Sequence, residues 1–220
     1  MIAKNASQIT SPSSSLKSLI LNNLPNSDVV VIPNGINQHR FSTQKKEKKI
    51  LLVGRTYKYK GFQYFLEAIK DIDLDYEVNV LGDGPYLEDL KKLANEGRNK
   101  IHFLGWLNRN SSKSKELYEA SSIAVFPSLQ ESFGLALLEA MSAGCAIIAS
   151  NIPPFQEVCG DSGFLIDPTN IMDFRQTLLQ LIDNDELIIS YGQKAKERSL
   201  LFGWENIVKQ FEKVYKNHGK

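Results

Sequence analysis

Gln130-Glu-Ser-Phe-Gly-Leu-Ala-Leu-Leu-Glu-Ala-Met-Ser-Ala-Gly144 follows an apolar run, Ser122-Ile-Ala-Val-Phe-Pro127, and together they decide the fold. The run reads as a buried strand. Leu135, Ala136, Leu137, Leu138, Ala140, Met141 and Ala143 leave almost no polar face, which predicts a buried helix. Ser132 is expected to cap that helix, with the amides of Phe133, Gly134 and Leu135 free at its first turn. Free amides and the positive end of the helix dipole make a phosphate site that needs no cationic side chain. Glu139 is the only charge on this helix. A buried carboxylate is costly alone, so it must face a partner, a ligand or water.

Glu131 and Glu139 are eight residues apart. If both were helical they would stand roughly 12 Å apart, at about 1.5 Å of rise per residue. That exceeds the about 5–10 Å of paired carboxylates in glycoside hydrolysis. An elongated ligand with a diphosphate in its middle, such as a nucleotide-sugar, would touch one glutamate at each end. One solvated helical Glu and one loop Glu is the plainer reading of the two residues by themselves.

Outward from this centre the chain alternates strand and helix. Ile50-Leu-Leu-Val53 ends in Gly54-Arg55, and a helix starts near Gly61-Phe62. Arg55 and Lys60 therefore share a strand-to-helix loop at the carboxyl edge, where open α/β sheets bind ligands. They either clamp a diphosphate or stand solvated in a lysine-rich loop, and Lys58 is read as solvated. Tyr76–Leu81 is a strand that turns through Gly82-Asp-Gly84-Pro85 into a helix over Tyr86–Asn95. Gly82 and Gly84 permit close backbone approach, to a ligand or within a plain turn. Ile101–Leu104 precedes Gly105-Trp106, and a long polar loop follows over Asn108–Lys115 before a helix to Ala120. Cys145–Ala149 is a strand, Asn151-Ile-Pro-Pro154 a loop, and Gly163–Ile166 a strand. Helices are expected over Ile171–Ile182, Asp185–Leu201 and Trp204–Tyr215, the last with Trp204, Ile207, Phe211 and Tyr215 on one face. Strand–helix alternation predicts a doubly wound, Rossmann-like parallel sheet with helices on both faces.

Composition narrows the function. The chain has 220 residues, 42% hydrophobic and 23% charged, the balance of an ordinary globular protein. Lys plus Arg (26) nearly equals Asp plus Glu (25), which argues against nucleic acid as a partner. Lys45-Lys-Glu-Lys-Lys49 is read as a solvated approach to a strand. Cys145 and Cys159 lack metal spacing and read as reduced, packed thiols. No metal or cofactor is implied. No apolar run reaches the length of a membrane span. The expected location is cytoplasmic, or peripheral at the inner face of the membrane. Gly82-x-Gly84 is the sole support for a Rossmann oxidoreductase, and the third glycine of that fingerprint is missing.

Pro127-Ser-x-x-Glu131-x-Phe133-Gly-Leu135, then Glu139-Ala-Met141-x-x-Gly144, resembles the E-x7-E signature of family 4 glycosyltransferases. The resemblance extends over about residues 28–216. It implies the C-terminal, donor-binding half of a retaining enzyme of the GT-B fold, consuming a nucleoside-diphosphate sugar and acting in polysaccharide biosynthesis. The order Gly54-Arg55-x4-Lys60-Gly61-Phe62 resembles the family's diphosphate clamp. By resemblance, Phe133–Leu135 add amides to the phosphates and Glu139 takes ribose hydroxyls. Glu131 holds the sugar near the anomeric carbon, and backbone at Leu104 and Trp106 meets the base, with the indole stacking. Pro153-Pro154 stand where many members carry a glycine pair. Ile32-Pro-Asn-Gly-Ile36 resembles the crossover between domains, so residues 1–32 are expected to be a remnant of the acceptor domain. Residues 33–202 are then the donor domain and 203–220 a C-terminal helix that packs partly on the acceptor domain. The expected partners are the nucleotide-sugar and a glycan or lipid-linked acceptor, with the N-terminal domain either cut from a longer protein or encoded separately as a further partner. A non-catalytic nucleotide-sugar binding module, or half of a split enzyme, is the alternative.

Overall fold

The computed structural model describes residues 6–42 and 44–218. Residues 1–5 of the expected N-terminal remnant and 219–220 of the expected terminal helix lie outside them.

The strands of the main sheet are β3 (Glu47–Val53), β4 (Glu77–Leu81), β5 (Ile101–Phe103), β6 (Ser121–Phe126), β7 (Ala146–Ser150) and β8 (Phe164–Ile166). All pair in parallel, in the order β5-β4-β3-β6-β7-β8. From β3 the chain steps outward to β5, crosses back to β6, and steps outward the other way. The order thus reverses between β3 and β6, and loops leaving those two strands open a crevice at the carboxyl edge.

Alternating side chains divide the core. Ile50 and Leu52 face one side with Phe62, Phe65, Phe174 and Leu178, from α2 (Phe62–Ile69) and α7 (Ile171–Ile182). Leu51 faces the other, with Leu137 and Leu138 of α5 (Leu135–Ser142) and Phe155 of α6 (Pro153–Cys159). Side chains as buried as Phe65 or Leu138 each contribute about 1.5–3 kcal/mol. The remaining connections are α3 (Leu87–Asn95), α4 (Ser112–Ala120) and α8 (Asp185–Ser199). No helix among the described residues is long and apolar enough to cross a membrane.

Four local expectations change. Helix α5 is capped by Gly134 (φ 101°) and begins at Leu135 rather than under a Ser132 cap; Ser132 is exposed. Pro153 and Pro154 open α6 instead of ending a loop, because the first helical turn has no use for their missing amides. Ser111 accepts from the Ser114 amide and starts α4 early, shortening the polar loop. Glu47–Lys49 belong to β3, where Lys49 pairs with Glu47 and Glu77, so only part of the basic run is a solvated lead-in.

Two smaller pieces frame the crevice. β1 (Ile9–Ser11) and β2 (Val29–Val31) pair in parallel around α1 (Ser14–Asn23). The Glu157 carboxylate accepts from the Ser14 and Ser15 amides at 2.9 and 3.2 Å, an anion at the positive end of α1. Ser13 Oγ donates to the Ser132 carbonyl at 2.6 Å, tying this unit to the turn before α5. At the other end, the Ile36 amide donates to Phe202 O and the Trp204 amide to Ile36 O, joining the crossover to α9 (Trp204–His218). The expected apolar face of α9 is split, with Ile207 buried and Trp204 and Tyr215 exposed.

Candidate functional site

The reversal between β3 and β6 brings together residues from three loops. After β3, the backbone passes Gly54 and Arg55 and makes a 3-10 turn over Lys58–Lys60. Gly61 then enters α2 at φ 72°, where a Cβ would lie 1.9 Å from the Pro127 carbonyl oxygen. Only glycine lets the two loops meet. That contact sets Lys60 beside the turn after β6, and Lys60 Nζ lies 2.6 Å from Glu131 Oε1. Ser128 Oγ donates to the same carboxylate at 3.0 Å. Both members of the pair are mostly buried. Arg55 is exposed, its guanidinium 5.1 Å from the Tyr57 ring, and no carboxylate among the described residues pairs with it. Lys58 is exposed too.

Gly82 and Gly84 serve the packing of these loops. At φ 149° and 153°, their missing Cβ atoms would fall 1.8 Å from Gly54 O and 3.0 Å from Thr56 O. The Leu104 amide donates to Val80 O at 2.9 Å, so only its carbonyl is left to meet a base. Trp106 is 70% exposed at the same edge, unused by the core. Phe133 is buried, whereas the first-turn amides of α5 at Leu135, Ala136 and Leu137 lack intrahelical partners by position. A Cβ on Gly134 would fall 2.6 Å from the Phe155 ring, so this helix start also requires glycine.

Glu139 is 4% exposed and has found protein partners. Oε1 accepts from both Arg40 and Arg109, and Oε2 accepts from the Tyr118 hydroxyl at 3.0 Å. Burial first, then the Glu139 charge, pushes the Tyr118 phenol well above its ordinary value, so it acts as a donor. Arg40, Arg109 and Tyr118 were not among the residues picked out by sequence. They come from the crossover, the β5–α4 loop and the end of α4, and no local pattern links them to Glu139.

A larger hollow, about 710 Å³, lies at the amino ends of β3 and β6, lined by Glu47, Lys48, Ser122, Gly144 and residues of α8. Strand direction puts it on the opposite edge from Arg55, Lys60 and Glu131, so its size gives it no part in that site. Cys145 and Cys159 are buried and unbridged. Burial raises the Cys159 thiol to about 12, which makes it inert.

A cation pair, unpaired helix amides and two carboxylates at the switch point of a parallel sheet suit a phosphate-bearing ligand. Residues 35–198 match the family model described as glycosyl transferases group 1. The chain belongs to that family. An uncharacterized glycosyltransferase of Methanocaldococcus jannaschii is 30% identical over 214 residues, 96% of this chain and 60% of that one. The phosphatidyl-myo-inositol mannosyltransferase of Mycolicibacterium smegmatis is 28% identical over 206 residues, 86% of this group 1 chain and 52% of its own. TarM of S. aureus, solved with UDP, superposes with a TM-score of 0.85 at 22% identity, over 97% of this chain and 44% of that one. HepE of Anabaena, solved with UDP and glucose, gives 0.83 at 16% identity, over 98% and 63%. These likenesses establish the fold as that of the GT-B glycosyltransferases. The group 1 chain spans 52–60% of the length of the two curated relatives.

Proposed function

We propose that this group 1 glycosyl transferase chain supplies the donor half of a retaining enzyme that moves a hexosyl group from a nucleoside-diphosphate sugar to a glycan or lipid-linked acceptor. The observation that carries this reading is the pairing of Lys60 with Glu131 across the β3–β6 reversal, in the same loop as an Arg55 that no carboxylate among the described residues holds. In transfer, the bond between the anomeric carbon and the β-phosphate oxygen breaks, and its electrons go to the departing diphosphate. Charge grows there, and preorganised cations stabilise it most when water is excluded. Arg55 forks two phosphate oxygens, Lys60 turns from Glu131 to a third, and the α5 amides add neutral donors. Glu131, released, accepts sugar hydroxyls, and Glu139 accepts those of the ribose. The acceptor hydroxyl oxygen bonds to the anomeric carbon with net retention, and its proton passes to the departing diphosphate oxygen. A lipid-linked acceptor would place the reaction at the inner face of a membrane, with an N-terminal domain supplying the acceptor site.

Calorimetry with mono- and diphosphates tests the reading. The diphosphate is expected to bind more tightly, with EDTA making no difference, because two phosphates are needed to span Arg55 and Lys60. Equal affinity for both would remove the clamp.

Arg55→Ala and Lys60→Ala are each expected to weaken diphosphate binding by about 1–3 kcal/mol, the range for charge-assisted hydrogen bonds. Lys58→Ala should leave it unchanged, and the reverse pattern would mean that the loop is misassigned. Glu131→Ala should spare diphosphate binding and cost transfer, measured with a matching acceptor domain supplied. Tight donor binding without transfer in that mixture would favour a non-catalytic module.

A further inference from the structure

We propose that Arg109 is a displaceable stand-in for the nucleotide's ribose, seated on Glu139 while the site is empty and moved off it when a nucleotide enters. This rests on the ribose role of Glu139 given above. A carboxylate offers roughly four lone-pair positions, and protein donors already crowd this one. Arg40 and Arg109 both reach Oε1, and Tyr118 holds Oε2. Ribose hydroxyls would need the same oxygens, so at least one donor must yield.

The three donors are unequally held. Tyr118 is 1% exposed with its ring 5.4 Å from that of Phe41, and the Arg40 guanidinium lies 4.9 Å from the same Phe41 ring. The Arg109 side chain is 49% exposed, against 13% for Arg40. Arg40 also donates to the Arg109 carbonyl. The loop backbone can therefore stay in place while the Arg109 side chain swings. A cavity of about 290 Å³, bordered by Asn37, Arg40, Arg109, Asn110 and Trp204, gives it room.

Charge favours the same division. Glu139 with both arginines carries a net positive charge, whereas Glu139 with Arg40 alone is neutral. Withdrawing Arg109 leaves no buried charge stranded and returns a long cation to water. Arg40 and Tyr118 are then positioning residues that aim Glu139, and Arg109 is its competitor.

The test is calorimetry on the whole chain with the tightest binder among UDP, GDP and ADP, and with its 2′,3′-dideoxy counterpart. Arg109→Ala should bind the ribonucleotide about three- to tenfold more tightly, the scale of a half-exposed ion pair with charge-assisted bonds. Binding of the dideoxy compound should not change, since it has no hydroxyl with which to dislodge the arginine. Arg109→Gln, which keeps a neutral donor near the place of Nε and loses the charge, should fall between wild type and alanine. Unchanged or weakened ribonucleotide binding by Arg109→Ala, with wild-type binding intact, would overturn the stand-in alone. Failure of wild type and variant to bind any of the three nucleotides would overturn the donor reading and the stand-in together.

Discussion

Glu139→Ala is expected to lower the stability of the folded chain by about 3–5 kcal/mol, the cost of stranding a buried charge by deleting its partner. The Arg40 side chain is only 13% exposed, so water cannot replace the carboxylate fully. The buried Tyr118 hydroxyl loses its acceptor in the same substitution. Arg109, half in water, adds little to the cost. Urea titration gives the number, and the double variant Glu139→Ala with Arg40→Ala should recover part of it, since the orphaned charge goes too. A loss under about 1 kcal/mol would show that Arg40 finds water once the carboxylate is gone.

Gly82→Ala should be nearly as damaging, for a steric reason. Its Cβ would fall 1.8 Å from the Gly54 carbonyl oxygen and 2.8 Å from the carbonyl carbon. The backbone there cannot retreat easily, because Gly54 donates to Leu81 O and Gly82 to Gly105 O. These bonds fasten the ends of three neighbouring strands. The substitution should cost about 3 kcal/mol, from strain and overpacking. It should also shift Gly54 and hence Arg55, so diphosphate binding should fall with stability. Gly105→Ala is the control. Its φ is +67°, but nothing lies within 4 Å of the added carbon, so it should cost about 1–2 kcal/mol and leave Gly54 and Arg55 in place. Thermal unfolding of the two variants separates crowding from conformation.

Sequence exposed the sheet well because its strands are buried on both faces. Ile50–Val53, Ile123–Phe126 and Cys145–Ala149 are continuous apolar runs, and Gly54 and Gly144 bound two of them. Element starts were harder to read. Ser132 looked like a cap by composition, yet Gly134 takes the left-handed corner and the helix begins one residue after it. Pro153-Pro154 looked like a break, yet a first turn accommodates both prolines.

The site divides in the same way. Local pattern placed Arg55, Lys60 and Glu131 in the loops that follow β3 and β6, and the family resemblance, not the pattern, singled them out there. The partners of Glu139 were not recognisable, because Arg40 is 99 residues away in sequence, Arg109 is 30 and Tyr118 is 21. An apolar helix with one acid demanded some partner for it, and only packing supplies the names. The same holds for Ser13 against Ser132 and Glu157 against α1, contacts across long separations that no period or propensity encodes.

The Lys60–Glu131 pair also governs how the crevice appears to an anion still in solution. Arg55, Lys60 and Glu131 together present one net positive charge instead of two, because Lys60 is paired with the Glu131 carboxylate. Long-range attraction of a diphosphate is then that of a single charge, and added salt should slow encounter only modestly. On the proposed donor reading, the second cation acts only after arrival, when the incoming phosphate takes Lys60 from Glu131. Selectivity for a diphosphate is then expected in residence time and not in the rate of capture.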